Sequence, residues 1–266
     1  MRVGFYQFWP TFGDVKGNLE QIAVALNGIE AELIVLPELA SSGYLFLEQD
    51  EVNAIAEPVP GPTTEFVQTL ARRHGCHIVI GLAERAGHHI YNSAVLIGPD
   101  GVVGTYRKVH LFYEEKNFFH PGDAGFPLFE IGEVKIGLLV CFDHLFPEAA
   151  RTLAVQGAQV ICHPSNLVLP EIGQLTTRVR AIENRVFWVL ANRFGTEERG
   201  GKKLSYTGCS QIIAPDGTVL ATAPAQEAAV RIVEIDPAQA VCKRITPLND
   251  IFADRRPELY RLTAPS

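Results

Sequence analysis

Three separated stretches of the chain each end an apolar run on a side chain that can do chemistry. In GLLVCFDHLFPEAARTLA (137–154) the run leads into Cys141, with an acid two residues later and Pro147 beyond it. In AELIVLPELASSGY (31–44) a continuously apolar run delivers Glu38 directly after Pro37. In GTYRKVHLFYEEKNFFHPGD (104–123) a β-prone run ends at Lys108, and an aromatic-rich loop with Glu114 and Glu115 follows.

A cysteine thiol with a pKa of about 8.5 is mostly protonated at neutral pH, so it needs a base or a nearby cation to attack. A glutamate in an apolar pocket can take the proton, and a lysine can receive the negative oxygen that forms on the substrate. Taken singly, each residue has a plainer reading: a small apolar strand end for Cys141, a strand-end acid for Glu38 and a solvated strand-end charge for Lys108. Taken together they form a Glu-Lys-Cys set for nucleophilic catalysis. Cys162 also sits late in an apolar run, but it lacks an acid at the same offset and a proline-started helix beyond, so it reads as core.

The elements that must position this set alternate. VGFYQFWP is a predicted strand, followed by a helix in GNLEQIAVALNGIEA, where Leu19, Ile22, Ala23, Leu26 and Ile29 fall at helical spacing. AELIVLPE reads as a strand buried on both faces, TTEFVQTLARRHG as a helix stopped by Gly75, and HIVIGLAE as the next strand. Val134 to Val140 reads as a buried strand, while Pro147 and Glu148 suit the first turn of a helix. That junction places the thiol on a strand-to-helix bend, where a helix N-terminus favours the thiolate. YNSAVLIGPDGVVGTYRK and GCSQIIAPDGTVLATAP each carry two β-prone runs around Pro-Asp-Gly, which predicts two similar hairpins and hence two related sheets. FFHPGDAGF reads as a loop. With no composition shift or linker, the alternation predicts one α/β domain over 1–266. The polar stretch 246–266, with three prolines, is an intersubunit arm or a loose terminus.

Composition narrows the partners. The 266 residues are 47% hydrophobic, enough for a substantial core, and 23 basic against 30 acidic residues give a formal charge of −7 with no basic run. Nucleic acid and membrane surfaces are therefore not expected partners. MRVGFYQFWP lacks the apolar stretch and small-residue site of a signal peptide, so the expected location is cytoplasmic. Five cysteines at irregular spacing, with no CxxC, fit reduced thiols better than a disulfide framework or a zinc site. His88 and His89 lie in a turn beside Gly87 and do not suggest a metal site.

The motifs together resemble the nitrilase superfamily of carbon-nitrogen hydrolases. LPELASSGY, YRKVHLFYEEKNFFHPGD and CFDHLFPEAAR carry the resemblance, supported by FWPTFGDVKGNLEQI, HPSNLV, RAIENRVFWVLANRFG and GCSQIIAPDGTVLA. It runs in order along nearly the whole chain. It implies an α/β fold, a four-layer αββα sandwich of two mixed β-sheets with the site at the strand ends. It also implies Cys141 as nucleophile, Glu38 as general base, Lys108 with the Phe142 backbone N–H as oxyanion stabiliser, and Glu115 as a second glutamate that positions substrate. Attack on an amide would form a thioester that water then hydrolyses, with no cofactor and no metal. CFD, rather than CWE, favours amides over nitriles and makes Asp143 and His144 substrate-side candidates. His163 and Asn166, after the strand AQVIC, and Tyr44 are further candidates for lining the pocket. The resemblance implies at least a homodimer, paired through helices near Pro147–Gln156 and Thr176–Arg185. The expected partner is a small linear amide or N-carbamoyl compound. Alternatives are nitrile hydrolysis by the same set, a Cys-His mechanism through His110, His144 or His163, and a catalytically silent binding protein on the same fold.

Overall fold

Side-chain alternation along two sets of parallel strands builds the layers. The computed structural model describes residues 1–260. Its strands are β1 (Arg2–Gln7), β2 (Leu33–Val35), β3 (His77–Ala86), β4 (His89–Gly98), β5 (Gly101–Arg107), β6 (Leu128–Ile131), β7 (Val134–Leu138), β8 (Val160–Pro164), β9 (Phe187–Ala191), β10 (Phe194–Arg199), β11 (Lys202–Thr207), β12 (Gln211–Ile213), β13 (Val219–Thr222) and β14 (Ala229–Glu234). Its helices are α1 (Val15–Ala25), α2 (Gln49–Ile55), α3 (Pro62–His74), α4 (Pro147–Val155) and α5 (Ile172–Asn184).

Two six-stranded sheets run in the orders β14-β1-β2-β3-β4-β5 and β6-β7-β8-β9-β12-β13. The two orders repeat one pattern. In each, an antiparallel edge strand is followed by three parallel strands and then by two antiparallel ones. The Pro-Asp-Gly hairpins, β4–β5 and β12–β13, occupy equivalent places, as the sequence similarity predicts.

Val3, Phe5, Leu33, Val35 and Val79 from the first sheet pack with Ile136, Leu138, Val160, Cys162 and Val189 from the second in one buried core. The intervening residues of the first sheet, Tyr6, Ile34, Ile78 and Ile80, face outward and pack under Ile22, Leu26, Val67 and Leu70 of α1 and α3. Helices α4 and α5 cover the other outer face, with Ala149, Leu153 and Ala181 buried against it. The result is the expected four-layer αββα sandwich of mixed sheets. Burial on both faces explains why AELIVLPE is apolar without alternation. Cys162 lies in the sheet-to-sheet core, fully buried, as expected.

Several elements escaped the sequence reading, among them strands β6 and β14, helix α2, which has only Val52 buried, and the hairpin β10–β11, which stands outside both sheets. The stretch 246–260 lies against its own chain, with the Arg151 guanidinium and the Lys243 ammonium each 5.0 Å from the Phe252 ring centre. Residues 261–266 of the expected arm lie outside the described residues.

Beyond β2 the chain stays bonded to β3, which fixes the backbone around Glu38. Leu36 N–H donates to the Val79 carbonyl at 2.8 Å, Gly81 N–H to Pro37 at 3.2 Å, and Ala40 N–H to Gly81 at 2.9 Å. Gly81 is required by closeness, not by its dihedral angles: a Cβ there would lie 2.5 Å from Glu38 Cα and 2.6 Å from Leu39 N. Gly81→Ala should therefore force Glu38 out of register. We expect a loss of about 1–3 kcal/mol in urea unfolding together with reduced kcat; wild-type values for both would show that the close approach does not constrain Glu38.

Candidate active site

Strand ends gather the chemistry. Glu38 follows β2, Lys108 follows β5 and Cys141 follows β7, so three segments far apart in sequence converge on one end of the sandwich. Lys108 is pinned at its backbone, donating to the Asn92 carbonyl at 2.8 Å and accepting from Gly122 N–H at 2.8 Å. Its ammonium donates to Glu38 Oε1 at 2.7 Å and to Glu115 Oε1 at 2.8 Å. Lys108 and Glu38 are both 0% exposed. Asn92 Nδ2 donates to the same Glu38 oxygen at 2.7 Å, whereas Glu38 Oε2 has no partner. Glu115 also accepts from the Tyr44 hydroxyl at 2.6 Å and from Phe112 N–H at 3.2 Å. The sequence left Glu114 and Glu115 as rivals. The structure separates them, because Glu114 turns outward to Lys202 at 2.6 Å.

Cys141 takes φ +44°, a left-handed conformation that costs a non-glycine residue strain, and it opens the 3₁₀ turn Cys141–Leu145. The α-helix starts only at Pro147. This corrects the expectation that an adjacent helix N-terminus favours the thiolate. Burial and the Glu38 carboxylate push the thiol well above its ordinary range, and Glu115 adds to this; Lys108 and the Asn166 N–H pull the other way without prevailing. The thiolate is therefore disfavoured at rest. Burial lowers the Lys108 pKa, but Glu115 and Glu38 outweigh it and hold the ammonium above its usual range. Burial also raises Glu115, offset in part by Lys108 and reinforced by Glu38.

The remaining candidates divide. Phe142, His144 and Asn166 line a narrow cleft with Cys141. Tyr44 and Glu115 line a neighbouring, larger cleft on the other side of Phe112. Asp143 lines neither. It is fully buried, its Oδ2 taking Tyr106 OH and Val140 N–H, both at 2.8 Å, and its Oδ1 lying 2.8 Å from His110 Nδ1. It braces the bend from behind. His163 is likewise behind the thiol, its Nε2 2.9 Å from the Cys141 carbonyl, which accepts the bond. Burial lowers the His163 pKa well below the ordinary range. His144 Nδ1 meets the Thr176 hydroxyl at 2.5 Å, and burial, then Arg180, lower its pKa to about 4.

With this arrangement in place, the likeness to known proteins becomes informative. The carbon-nitrogen hydrolase family model matches residues 2–242. The chain belongs to that family. A nitrilase of Pyrococcus abyssi is 51% identical over 98% of this chain and 99% of its own. An N-carbamoylputrescine amidase of Solanum lycopersicum is 35% identical, covering 94% of this chain and 90% of its own. Among solved structures, a variant of the Nesterenkonia sp. AN1 amidase matches at a TM-score of 0.80 and 27% identity, over 97% of this chain and 98% of that one; in it acrylamide has undergone Michael addition at the active site cysteine. This carbon-nitrogen hydrolase acts on C–N bonds other than peptide bonds.

Sequence reasoning missed Asn92 and Glu197. Asn92 was detectable as one of two polar residues opening the strand YNSAVLIG, and it is fully buried against Glu38. Glu197 left no local signal, yet it accepts Leu45 N–H at 2.7 Å and Tyr44 N–H at 3.2 Å from across the molecule.

The neutral His144 has a consequence for acid stability. The native protein keeps it unprotonated down to about pH 4, whereas the unfolded chain binds a proton from near pH 6.5. The unfolded state therefore binds more protons between those values, and stability falls as pH falls through that window. Between pH 7 and 4.5 the wild type should lose about 2 kcal/mol more than His144→Gln. Parallel losses in urea titrations at the two pH values would contradict a buried neutral imidazole.

Proposed function

We propose that this hydrolase cleaves a small linear amide or N-carbamoyl compound through a thioester on Cys141. The observation that carries the reading is the Lys108 ammonium held between Glu38 and Glu115 in a site closed to water, with all three acting electrostatically on the Cys141 thiol.

In this reading the sulfur attacks the carbonyl carbon as the thiol proton passes to Glu38 Oε2, the carboxylate oxygen with no other partner. Negative charge moves from sulfur to the substrate oxygen, where Lys108 and the Phe142 backbone N–H receive it. The thiolate is disfavoured at rest, so the site favours the oxyanion more than the ground state, which is the requirement for catalysis. Glu38 then protonates the departing nitrogen, and ammonia or an amine leaves. Water attacks the thioester, gives its proton to Glu38, and the acid is released as the thiol re-forms. Glu115, fixed by Tyr44, positions Lys108 and the substrate.

The histidine alternative has less support. His110 pairs with Asp143, His144 with Thr176 and His163 with the Cys141 carbonyl, so each ring is engaged elsewhere. Amides are preferred to nitriles on the CFD motif and on relatives named amidases. Asp143 does not itself face the cleft, and the relative from Pyrococcus abyssi is named a nitrilase.

We also propose that the chain forms one domain, resides in the cytoplasm and pairs into at least a homodimer. Its five cysteines are all unpaired, consistent with a reducing compartment. Val155 on α4 and Leu175, Val179 and Ile182 along one stripe of α5 are exposed apolar residues at the helices expected to pair.

Ammonia release should be detectable from at least one of ω-amides, carbamoyl amines, aliphatic amides and damaged peptides. Cys141→Ala should abolish it, and Glu38→Gln should lower kcat/KM by ~10³-fold. Retention of amide hydrolysis by Cys141→Ala, on every amide the wild type uses, sinks the thioester mechanism. Sedimentation at micromolar concentration should give twice the 29.2 kDa chain mass or more; a pure 29.2 kDa species refutes the pairing.

A further inference from the structure

The cleft against Cys141 carries information about the acyl group. Its lining is mostly apolar, with Phe112, Phe142, Leu145 and the run Leu167–Leu169 around Cys141, and His144 and Asn166 are its polar members. Among the described residues it has no charged lining group at neutral pH. His144 stays neutral, with its pKa lowered to about 4 by burial and Arg180.

The nearby charges are spoken for. The Lys108 charge is balanced by Glu38 and Glu115, and Asp143 faces away with its oxygens occupied. Arg180 Nη1 pairs with Glu183 at 2.9 Å, while its Nε donates to the His144 carbonyl at 3.1 Å. Along the other cleft, beyond Phe112, Lys202 pairs with Glu114 and Lys203 with Glu198. A carboxylate or ammonium on the acyl chain would be desolvated here with no counter-ion, which is costly.

Asn166 is the exception to the apolar wall. It is 3% exposed, and neither its Oδ1 nor its Nδ2 has a partner. It lines the same cleft as Cys141, which places it beside the nucleophile. A buried amide with both ends unpaired costs free energy that a ligand able to donate and accept recovers on binding. A terminal carboxamide does both.

We infer that the acyl group this enzyme takes is uncharged, and that its preferred form carries a second neutral hydrogen-bonding group, such as a carboxamide, that pairs with Asn166. The inference rests on Cys141 being the nucleophile, and it names the substrate class of that site. Short neutral diamides fit both requirements. Their first hydrolysis leaves an amide bearing a carboxylate, which the same cleft rejects, so the reaction on a diamide stops after one C–N bond.

Four amides with a common four-carbon acyl chain test this: butyramide, succinamide, succinamate and 4-aminobutyramide. Succinamide should match or exceed butyramide in kcat/KM, and both should exceed the two ionic amides by ~100-fold or more. Succinamide should release one equivalent of ammonia and then stop. Turnover of either ionic amide within about threefold of butyramide overturns the inference while leaving the thioester mechanism standing. Ammonia from none of the four, with no acyl adduct on Cys141 by mass spectrometry, sinks the mechanism and the inference together. Asn166→Leu should lower the succinamide-to-butyramide ratio about tenfold, and an unchanged ratio removes Asn166 from the recognition. Because that position is buried, the half-exposed Leu169 provides a second variant. Leu169→Arg should raise the succinamate-to-butyramide ratio about tenfold, and no rise contradicts the charge argument.

Discussion

One ammonium held between two buried carboxylates is the interaction on which the rest of this molecule is organised. Lys108, Glu38 and Glu115 are almost completely removed from water, which is tolerable only because the charges lie within 2.7 and 2.8 Å of one another. Such a cluster is demanding: removal of Lys108 would leave two buried carboxylates with no counter-ion, and breaking one buried pair costs about 3–5 kcal/mol in comparable cases. The surrounding structure supplies what the geometry requires. Asn92 gives Glu38 Oε1 a second donor, Tyr44 gives one to Glu115, and backbone bonds hold Lys108 at the end of β5. Burial, with the Glu38 and Glu115 carboxylates adding to it, pushes the thiol beside the cluster upward, so the thiolate is disfavoured until a substrate oxygen can take the charge. Stability and reactivity therefore draw on the same three side chains.

Much of this was legible in the sequence, for reasons that can be named. The parallel strands are buried on both faces and so are written as short continuous apolar runs, and a titratable residue directly after such a run is conspicuous. That is how Glu38, Lys108 and Cys141 could be found without coordinates. The repeated Pro-Asp-Gly turns marked the two hairpins because turn chemistry is local. The chain's repeated sheet pattern, once seen, explains why two similar turns occur about 115 residues apart, at Pro99 and Pro215.

What was not legible depended on side-chain direction. CFDHL reads as a row of candidate pocket residues, but the tight turn opened by the positive φ of Cys141 sends its members to different sides. Phe142 and His144 reach the cleft, while Asp143 points back to Tyr106, His110 and Val140. His163 looked like a pocket residue because it ends a strand, yet the last positions of β8 are still inside the sandwich, and its ring supports the Cys141 carbonyl from below. Spacing along the chain determines which element a residue ends. It does not determine which way the residue faces when the backbone leaves regular structure.

The hairpin β10–β11 extends this reasoning beyond the two sheets. Glu197 on β10 is buried, and its charge is balanced by Arg193 Nη1 at 2.7 Å, while the Tyr206 hydroxyl of β11 donates to its other oxygen at 2.7 Å. Arg193 in turn lies 4.0 Å over the Tyr206 ring. This second buried ion pair has its remaining acceptor capacity filled by the backbone of Tyr44 and Leu45, on the segment that leads away from Glu38. Through it, a hairpin outside both sheets fixes the loop that aims the Tyr44 hydroxyl at Glu115. The two buried charge clusters are thus joined through one tyrosine, whose main chain answers to Glu197 and whose side chain answers to Glu115. A loop held only at its ends would leave that hydroxyl free to move. Held in its middle by a desolvated carboxylate, it keeps the glutamate–lysine geometry fixed before any substrate arrives, which is the preorganisation an oxyanion site requires.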